Sequence, residues 1–399
     1  MSSASRRVVI VGAGLAGFRV AADLRRLGYS GALTLSGAET HAPYDRPPLS
    51  KQFLTGDSST ADARLASDEE ISDLDLELRL GTAVRSVTPG EVVLADGSSL
   101  ACDTVVVATG AAAHMPAFVP DHRLIHRLRT LDDALVLREA LLAARSLLIV
   151  GGGFIGAEVA SSARRLGLDV TIVEAMPTLF HHSLGPVAGE LCSALHRRNG
   201  VRLVTGMPVK RFLDSTDAVS VEMLDHSVVR ADVALVGIGT RLNTTVLNGC
   251  GLELTEGIPC DDAGRVDGLP GVYAVGDVAS WSDEMSGRRI RREHWSSAGD
   301  QATIVAHSIL GIPVPDYLRT APYFWSDQYD QKIQLIGRPE LAQSGRWLEH
   351  DPDDSIAVYG YERGEDLVGV ATFGPPRLLA KYRPLVAAGM ATATRMTVG

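Results

Sequence analysis

With 399 residues, 45% of them hydrophobic and 22% charged, the chain is too long for one compact core and too apolar for a disordered or fibrous protein. A formal net charge of -10 argues against nucleic-acid binding, which needs clustered lysine and arginine to neutralise phosphates. No window holds the roughly 18 consecutive apolar residues of a membrane span, and residues 1–7 run straight into the apolar stretch 8–11 without a signal-peptide core, so the expected compartment is the cytoplasm.

The first predicted element is a buried strand at 8–11, followed by Gly12-Ala13-Gly14-Leu15-Ala16-Gly17 and a helix with apolar spacing through Ala21, Leu24 and Leu27, stopped by Gly28. A β-rich run comes next, at 32–35. The whole pattern recurs at 147–173: a strand, then Gly151-Gly152-Gly153-Phe154-Ile155-Gly156, a helix through Val159, Ala163 and Leu166, a stop at Gly167 and a second strand. In such a unit the first glycine permits the tight turn, the second lets a pyrophosphate approach the backbone, and the third lets helix and strand pack closely. The helix N-terminus then turns free N–H groups and a positive dipole end toward the phosphates. One such glycine turn is a weak signal. Two of them, each between a buried strand and a helix, predict two dinucleotide sites.

An acid at the end of the second strand distinguishes the two sites. Glu174 can accept hydrogen bonds from a ribose 2′-hydroxyl and would repel a 2′-phosphate, and no arginine follows it at 175–177, so the second site favours NADH over NADPH. The matching position in the first copy is Gly37, followed by Ala38, which leaves Glu39 as the nearest acid.

Between the copies, a buried strand ends in Ala108-Thr109-Gly110, and an echo after the second copy ends in Gly237-Ile238-Gly239. A third strand-turn unit at 271–277 closes on Gly276-Asp277 and precedes a helix of about fifteen residues starting near Trp295. The run Arg288-Arg289-Ile290-Arg291-Arg292 reverses the acidic balance locally. Beyond the proline-marked segment 312–322 the composition becomes aromatic and strand-like, with alternation at 333–336, as expected of a small C-terminal α+β domain. Cys102, Cys192, Cys250 and Cys260 are scattered without a C-x-x-C pair, which argues against a metal centre or disulfide framework.

These residues resemble the two-dinucleotide-fold flavoprotein reductases of the FAD-dependent pyridine nucleotide-disulfide oxidoreductase superfamily, and within them the putidaredoxin-reductase-like and dioxygenase-type ferredoxin reductases. The most specific string is Pro43-Tyr44-Asp45-Arg46-Pro47-Pro48-Leu49-Ser50-Lys51, joined by Ala108-Thr109-Gly110, Gly276-Asp277, Glu293-His294-Trp295 and Phe324-Trp325-Ser326-Asp327-Gln328. The likeness covers essentially the whole chain. It implies an α/β fold of two Rossmann-like domains plus the C-terminal α+β domain: an FAD domain at 1–113 and 241–316, an NAD domain at 114–240, and a reductase domain at 317–399.

The resemblance also implies roles. Gly12, Gly14, Leu15, Ala16 and Gly17 would cradle the FAD pyrophosphate, with Glu39, Arg46, Val84, Ala108, Thr109, Gly110 and Arg129 around the cofactor. Gly276 and Asp277 would meet its ribityl chain, and Glu293, His294 and Trp295 would open a helix whose N–H groups face the pyrimidine end. Lys51 would sit at the reactive edge of the flavin, and Trp325 would shield the ring from the C-terminal domain. On the NAD side stand Gly151, Gly153, Phe154, Ile155, Gly156, Glu174, Gly237 and Gly239, with Glu158 near the nicotinamide. Lys51, Glu158 and Trp325 are the expected catalytic residues, the first two as an ion pair that opens when the nicotinamide stacks on the flavin. The family usually carries an acid where this chain has Ala38, a loss that Glu39 would offset.

The stretch 45–54 contains no cysteine, so an internal dithiol relay is not expected. NADH gives up two electrons as hydride while an iron–sulfur cluster takes one, and a flavin can stand between them. The expected activity is NADH-dependent reduction of a small acidic ferredoxin that feeds a cytochrome P450 or a ring-hydroxylating dioxygenase. A basic patch would steer such a partner; Arg288, Arg289, Arg291 and Arg292 are the candidates, with Lys332, Arg338, Lys381 and Arg383 as additions. A rubredoxin reductase or an NADH oxidase of the same architecture, or an NADH-responsive interaction protein, remain the alternatives.

Overall fold

A strand buried on both faces is what a parallel sheet covered by helices demands, and Arg7–Val11 has every residue but the first buried. It pairs in parallel with Ala32–Ser36 on one side and Thr104–Val107 on the other. Glu77–Arg79 and Val272–Ala274 complete the five-stranded sheet. A strand from beyond residue 240 thus finishes a sheet otherwise built before residue 113, and the helices Leu15–Arg26 and Trp295–Leu310 pack together against it. The computed structural model describes residues 6–283, 285–315, 318, 321–351 and 356–398, with side chains to 392; residues 1–5 and 399 and the expected boundary at 316–317 lie outside these.

The second glycine unit builds a second parallel sheet in the order Arg202–Thr205, Asp169–Glu174, Ser146–Val150, Val233–Val236 and Ile125–His126. The duplication reaches further than the glycine turns. Each unit has a three-stranded antiparallel sheet inserted at the same point of its order, Val84–Thr88 to Ser99–Ala101 in the first and Val209–Leu213 to Val228–Ala231 in the second. One antiparallel pair, Ala111–Ala113 with Thr240–Leu242, joins the two units.

The C-terminal residues form a five-stranded antiparallel sheet in the order Tyr323–Gln328, Gln331–Gly337, Asp366–Phe373, Ile356–Arg363 and Ser344–Asp351, with the helix Arg377–Val398 packed on it. The strand expected at 333–336 is present, and Ile333, Gln334, Leu335 and Ile336, which alternate between its two faces, are all buried. The reason is a sheet covered on both sides. Ile333 and Leu335 share a core with Leu147, Ala157 and Leu179 of the second unit, while Ile336 packs with Leu379, Tyr382 and Val386 of the last helix. No described helix is long and apolar enough to cross a membrane.

Candidate active site

The two glycine turns are near copies in geometry. Gly14 and Gly153 each cap their helix at φ -82 and ψ -170 without a side-chain hydrogen bond. A Cβ on Gly12 would lie 2.2 Å from the Ala108 carbonyl oxygen, and one on Gly151 would lie 2.3 Å from that of Gly237. A Cβ on Gly17 or Gly156 would strike the first glycine of its own turn at 1.9 and 2.2 Å. By contrast, a Cβ on Gly14 or Gly153 would meet nothing within 4 Å. Packing therefore dictates the first and third glycines, and the second opens each helix N-terminus onto free space of the kind a pyrophosphate fills. Both turns fit a dinucleotide.

The acids differ for a steric reason. Glu174 ends its strand and accepts from the backbone N–H groups of Gly152 at 2.5 Å and Met176 at 2.7 Å, which fixes the carboxylate beside the turn. In the first turn Ala13 stands where the second has Gly152, and a Cβ on Gly37 would lie 2.7 Å from that of Ala13. No side chain fits at 37, so the acid comes later, as Glu39. Its carboxylate accepts from the Tyr44 hydroxyl at 2.6 Å and from Arg46 at 3.4 Å. Tyr44 in turn accepts from the Leu131 N–H at 2.9 Å, and burial pushes its phenol up to about 12.

Around the rest of the first site, Arg129 bridges the crossover. It donates to the Ala111 carbonyl at 2.9 Å and pairs with Asp277 at 2.5 Å. Thr109 and Asn243 exchange side-chain and backbone hydrogen bonds at 2.8 and 2.9 Å, and the Gly276 N–H donates to Gln301 at 2.8 Å. The helix Trp295–Leu310 starts after His294 with no side-chain cap, leaving its first N–H groups free. Trp295 donates to Asp45 at 2.7 Å and meets Trp325 edge-on at 5.7 Å, and Tyr323 lies almost parallel to Trp325 at 5.9 Å. Glu293 turns away to Thr240 and Arg291, while His294 stacks on Phe324 at 5.0 Å. Phe324 meets Phe154, the first helical residue after the second turn, at 4.6 Å. Val84 is half-buried, and Ile155 is exposed.

Lys51 and Glu158 form the expected ion pair, at 2.7 Å with side chains 12% and 6% exposed. Glu158 is thus a buried group of the helix Phe154–Arg165. At that distance the attraction is about 6 kcal/mol for an effective dielectric near 20, set against the cost of desolvating both charges. The carboxylate has further donors: Ser50 shares Oε2 with Lys51, and Ser326 reaches Oε1 at 2.7 Å from the C-terminal sheet.

The arginine run is a strand, Arg288–Arg291, antiparallel to Ala279–Asp283. Side chains alternate along a strand, so the run divides between two faces and does not form one patch. Arg289 pairs with Asp267, Arg291 with Glu293 and Arg292 with Asp283. Arg338, expected to add to the docking face, is a correction: its side chain is 3% exposed and held by Asp283 and Glu340, beyond the reach of any partner. Lys381 pairs with Glu349. Lys332 pairs with Asp327 at 2.6 Å and lies over Trp325 at 5.7 Å from the ring centre, and Arg383 lies over Tyr323 at 5.5 Å.

Sequence reasoning passed over Tyr44, Asp45, Ser50, Asn243, Gln301 and Ser326 as site residues. Four of these lie inside the strings that carry the family resemblance. Strand alternation at 323–328 was the available signal for Ser326, because it sends even-numbered residues inward.

The family pattern described as pyridine nucleotide-disulphide oxidoreductase matches residues 6–302, and that described as reductase C-terminal matches 323–397. The ferredoxin–NAD(+) reductase component of the p-cumate 2,3-dioxygenase system of Pseudomonas putida is 36% identical over 381 residues, covering 94% of this chain and 92% of that protein. Among solved structures, the covalent putidaredoxin reductase–putidaredoxin complex aligns with a TM-score of 0.91 at 30% identity, over 96% of this chain and 94% of that one. The ferredoxin reductase for the CYP199A2 system from Rhodopseudomonas palustris aligns with a TM-score of 0.88 at 29% identity, over 95% and 94%.

Proposed function

The chain belongs to the pyridine nucleotide-disulphide oxidoreductase family, and from that premise we propose that it is an NADH:ferredoxin oxidoreductase that carries FAD. Net, NADH and two oxidised ferredoxins give NAD+, a proton and two reduced ferredoxins. Bound FAD supplies the means of taking two electrons together and releasing them singly. The observation that carries the reading is the pair of matched glycine turns, with the Lys51–Glu158 ion pair joining the unit of the first turn to the helix after the second.

Residues 1–113 with 241–316 are the proposed FAD unit, 114–240 the NAD unit and 317–399 the C-terminal unit. The N–H groups after Gly14 would hold the FAD pyrophosphate, Glu39 its adenosine ribose, and Asp277, oriented by Arg129, its ribityl chain. The free N–H groups at Trp295 would face the pyrimidine end, where a helix N-terminus stabilises negative charge. Glu174 would take the NADH ribose. Phe154, Phe324 and Trp325 would wall the nicotinamide and the ring from water. The partner is a small acidic iron–sulfur ferredoxin serving an oxygenase, in line with relatives that serve a dioxygenase system and the CYP199A2 system, and the compartment is the cytoplasm.

Flavin released from the purified protein should be FAD, and NADH should bleach the yellow colour at far lower concentration than NADPH. A protein that holds no flavin after reconstitution, or prefers NADPH, contradicts the proposal.

A further inference from the structure

Beyond the Lys51–Glu158 pair runs a line of buried polar side chains to which the reaction as described assigns no task. Ser326, Gln328 and His196 are each wholly buried, and Glu158 is 5% exposed. Ser326 donates to Glu158 at 2.7 Å, Gln328 to Ser326 at 3.0 Å, and Gln328 lies 3.0 Å from His196 Nε2. Tyr329 reaches His196 Nδ1 at 2.9 Å, and its own backbone N–H donates to Ser161, one helical turn from Glu158, at 2.7 Å.

The carboxylate sets the direction of the whole line. Glu158, paired with Lys51, only accepts, so the Ser326 hydroxyl proton must point at it. The Ser326 oxygen then accepts from the Gln328 amide nitrogen, which leaves the Gln328 oxygen toward the histidine. His196 must therefore carry its proton on Nε2 and accept from Tyr329 at Nδ1. The carboxylate thus fixes the direction of each of these bonds in turn. The strand Tyr323–Gln328 presents Trp325 on its other face, so one element touches both the flavin-shielding tryptophan and the nicotinamide-side carboxylate.

Resting on the NADH-oxidising reading, we propose that Ser326, Gln328 and His196 are positioning residues for hydride transfer. They pin Glu158 through Oε1, so that the pair opens by movement of Lys51 when the nicotinamide enters. Lys51 is the partner free to move: among the described residues its ammonium holds, apart from Glu158, only the Pro47 carbonyl, at 3.0 Å, at the end of a flexible stem.

The test is anaerobic stopped-flow reduction of the flavin over a range of NADH concentrations, for wild type, Ser326→Ala, Glu158→Gln and the double variant, alongside NAD+ binding by calorimetry and 15N NMR of the histidine rings. Ser326→Ala should lower the limiting reduction rate roughly tenfold, as small misplacements of reacting groups do, with NAD+ affinity unchanged. In the Glu158→Gln background the same substitution should add nothing, because both act through one group. The wild-type spectrum should show one ring with a bare Nδ1 and a protonated Nε2, and Ser326→Ala should disturb it. Equal slowing in both backgrounds, a wild-type rate in Ser326→Ala, or the opposite ring tautomer overturns the inference. Should Ser326→Ala lose its flavin, Gln328→Met, one link further out, is held to the same outcomes. A wild-type protein that NADH leaves oxidised overturns the functional reading itself, whereas wild-type reduction with unaffected variants overturns only the positioning role.

Discussion

Two charges as buried as Lys51 and Glu158 stay in place only if each replaces the water it has lost. Glu158 does so three times over, from Lys51, Ser50 and Ser326, and the cost of removing one partner follows. Lys51→Met strands the carboxylate and should cost about 3 kcal/mol in urea unfolding. Glu158→Gln keeps the shape but puts a donating amide nitrogen where an oxygen accepted and leaves Lys51 unpaired, so it should also cost up to about 3 kcal/mol and should slow flavin reduction in stopped flow. An unchanged rate would remove the pair from the hydride step. His196 permits a second test at this scale. Burial holds its ring at about 4, down from 6.5, so between those values the unfolded chain binds a proton that the folded ring refuses. The stability due to the neutral ring is present above 6.5 and is lost as pH falls toward 4. Relative to His196→Gln, wild type should lose about 3 kcal/mol across that window; parallel stability curves would contradict a neutral, buried ring.

Each glycine of a cradle has its own physical task, and substitution separates them. Gly17→Ala places a methyl 1.9 Å from the Gly12 carbonyl oxygen and should prevent folding of the first unit, whereas Gly14→Ala meets only open space. The Gly14→Ala protein should keep its circular dichroism spectrum and lose flavin; full flavin content would mean that the pyrophosphate lies elsewhere. Such elements were readable from the chain because their causes are local: glycine spacing, apolar runs and helix stops recur in both copies. What escaped was set by partners distant in sequence. Residues 333–336 are all buried because the second unit and the last helix cover the two faces of their strand. The arginine run is a strand because Ala279–Asp283 pairs with it, and only that pairing reveals that its charges are divided and largely neutralised. Ser326 meets Glu158 across 168 residues, a separation that no local pattern encodes.

At the scale of the whole molecule, the C-terminal sheet shares a core with the second unit, and Tyr361 also donates to the Leu184 carbonyl there at 2.6 Å. The sheet is therefore held against the second unit, with Ser326 on Glu158 and Trp325 against Trp295. Beside Trp325 and Tyr323 lie Lys332, paired with Asp327, and Arg383, and we propose this face as the docking surface for an acidic partner. Charge reversal by Lys332→Glu with Arg383→Glu should raise the apparent KM for ferredoxin several-fold and leave NADH-to-ferricyanide turnover intact, since rim charges act mainly on encounter. Equal loss in both assays would place the damage in the flavin site. The central claim, that one hydride in becomes two single electrons out, is met most directly by adding NADH anaerobically to the flavin-loaded protein mixed with excess oxidised ferredoxin and counting reduced clusters. Two per NADH consumed is the predicted result. Bleached flavin beside clusters that stay oxidised, across a panel of ferredoxins, would contradict it.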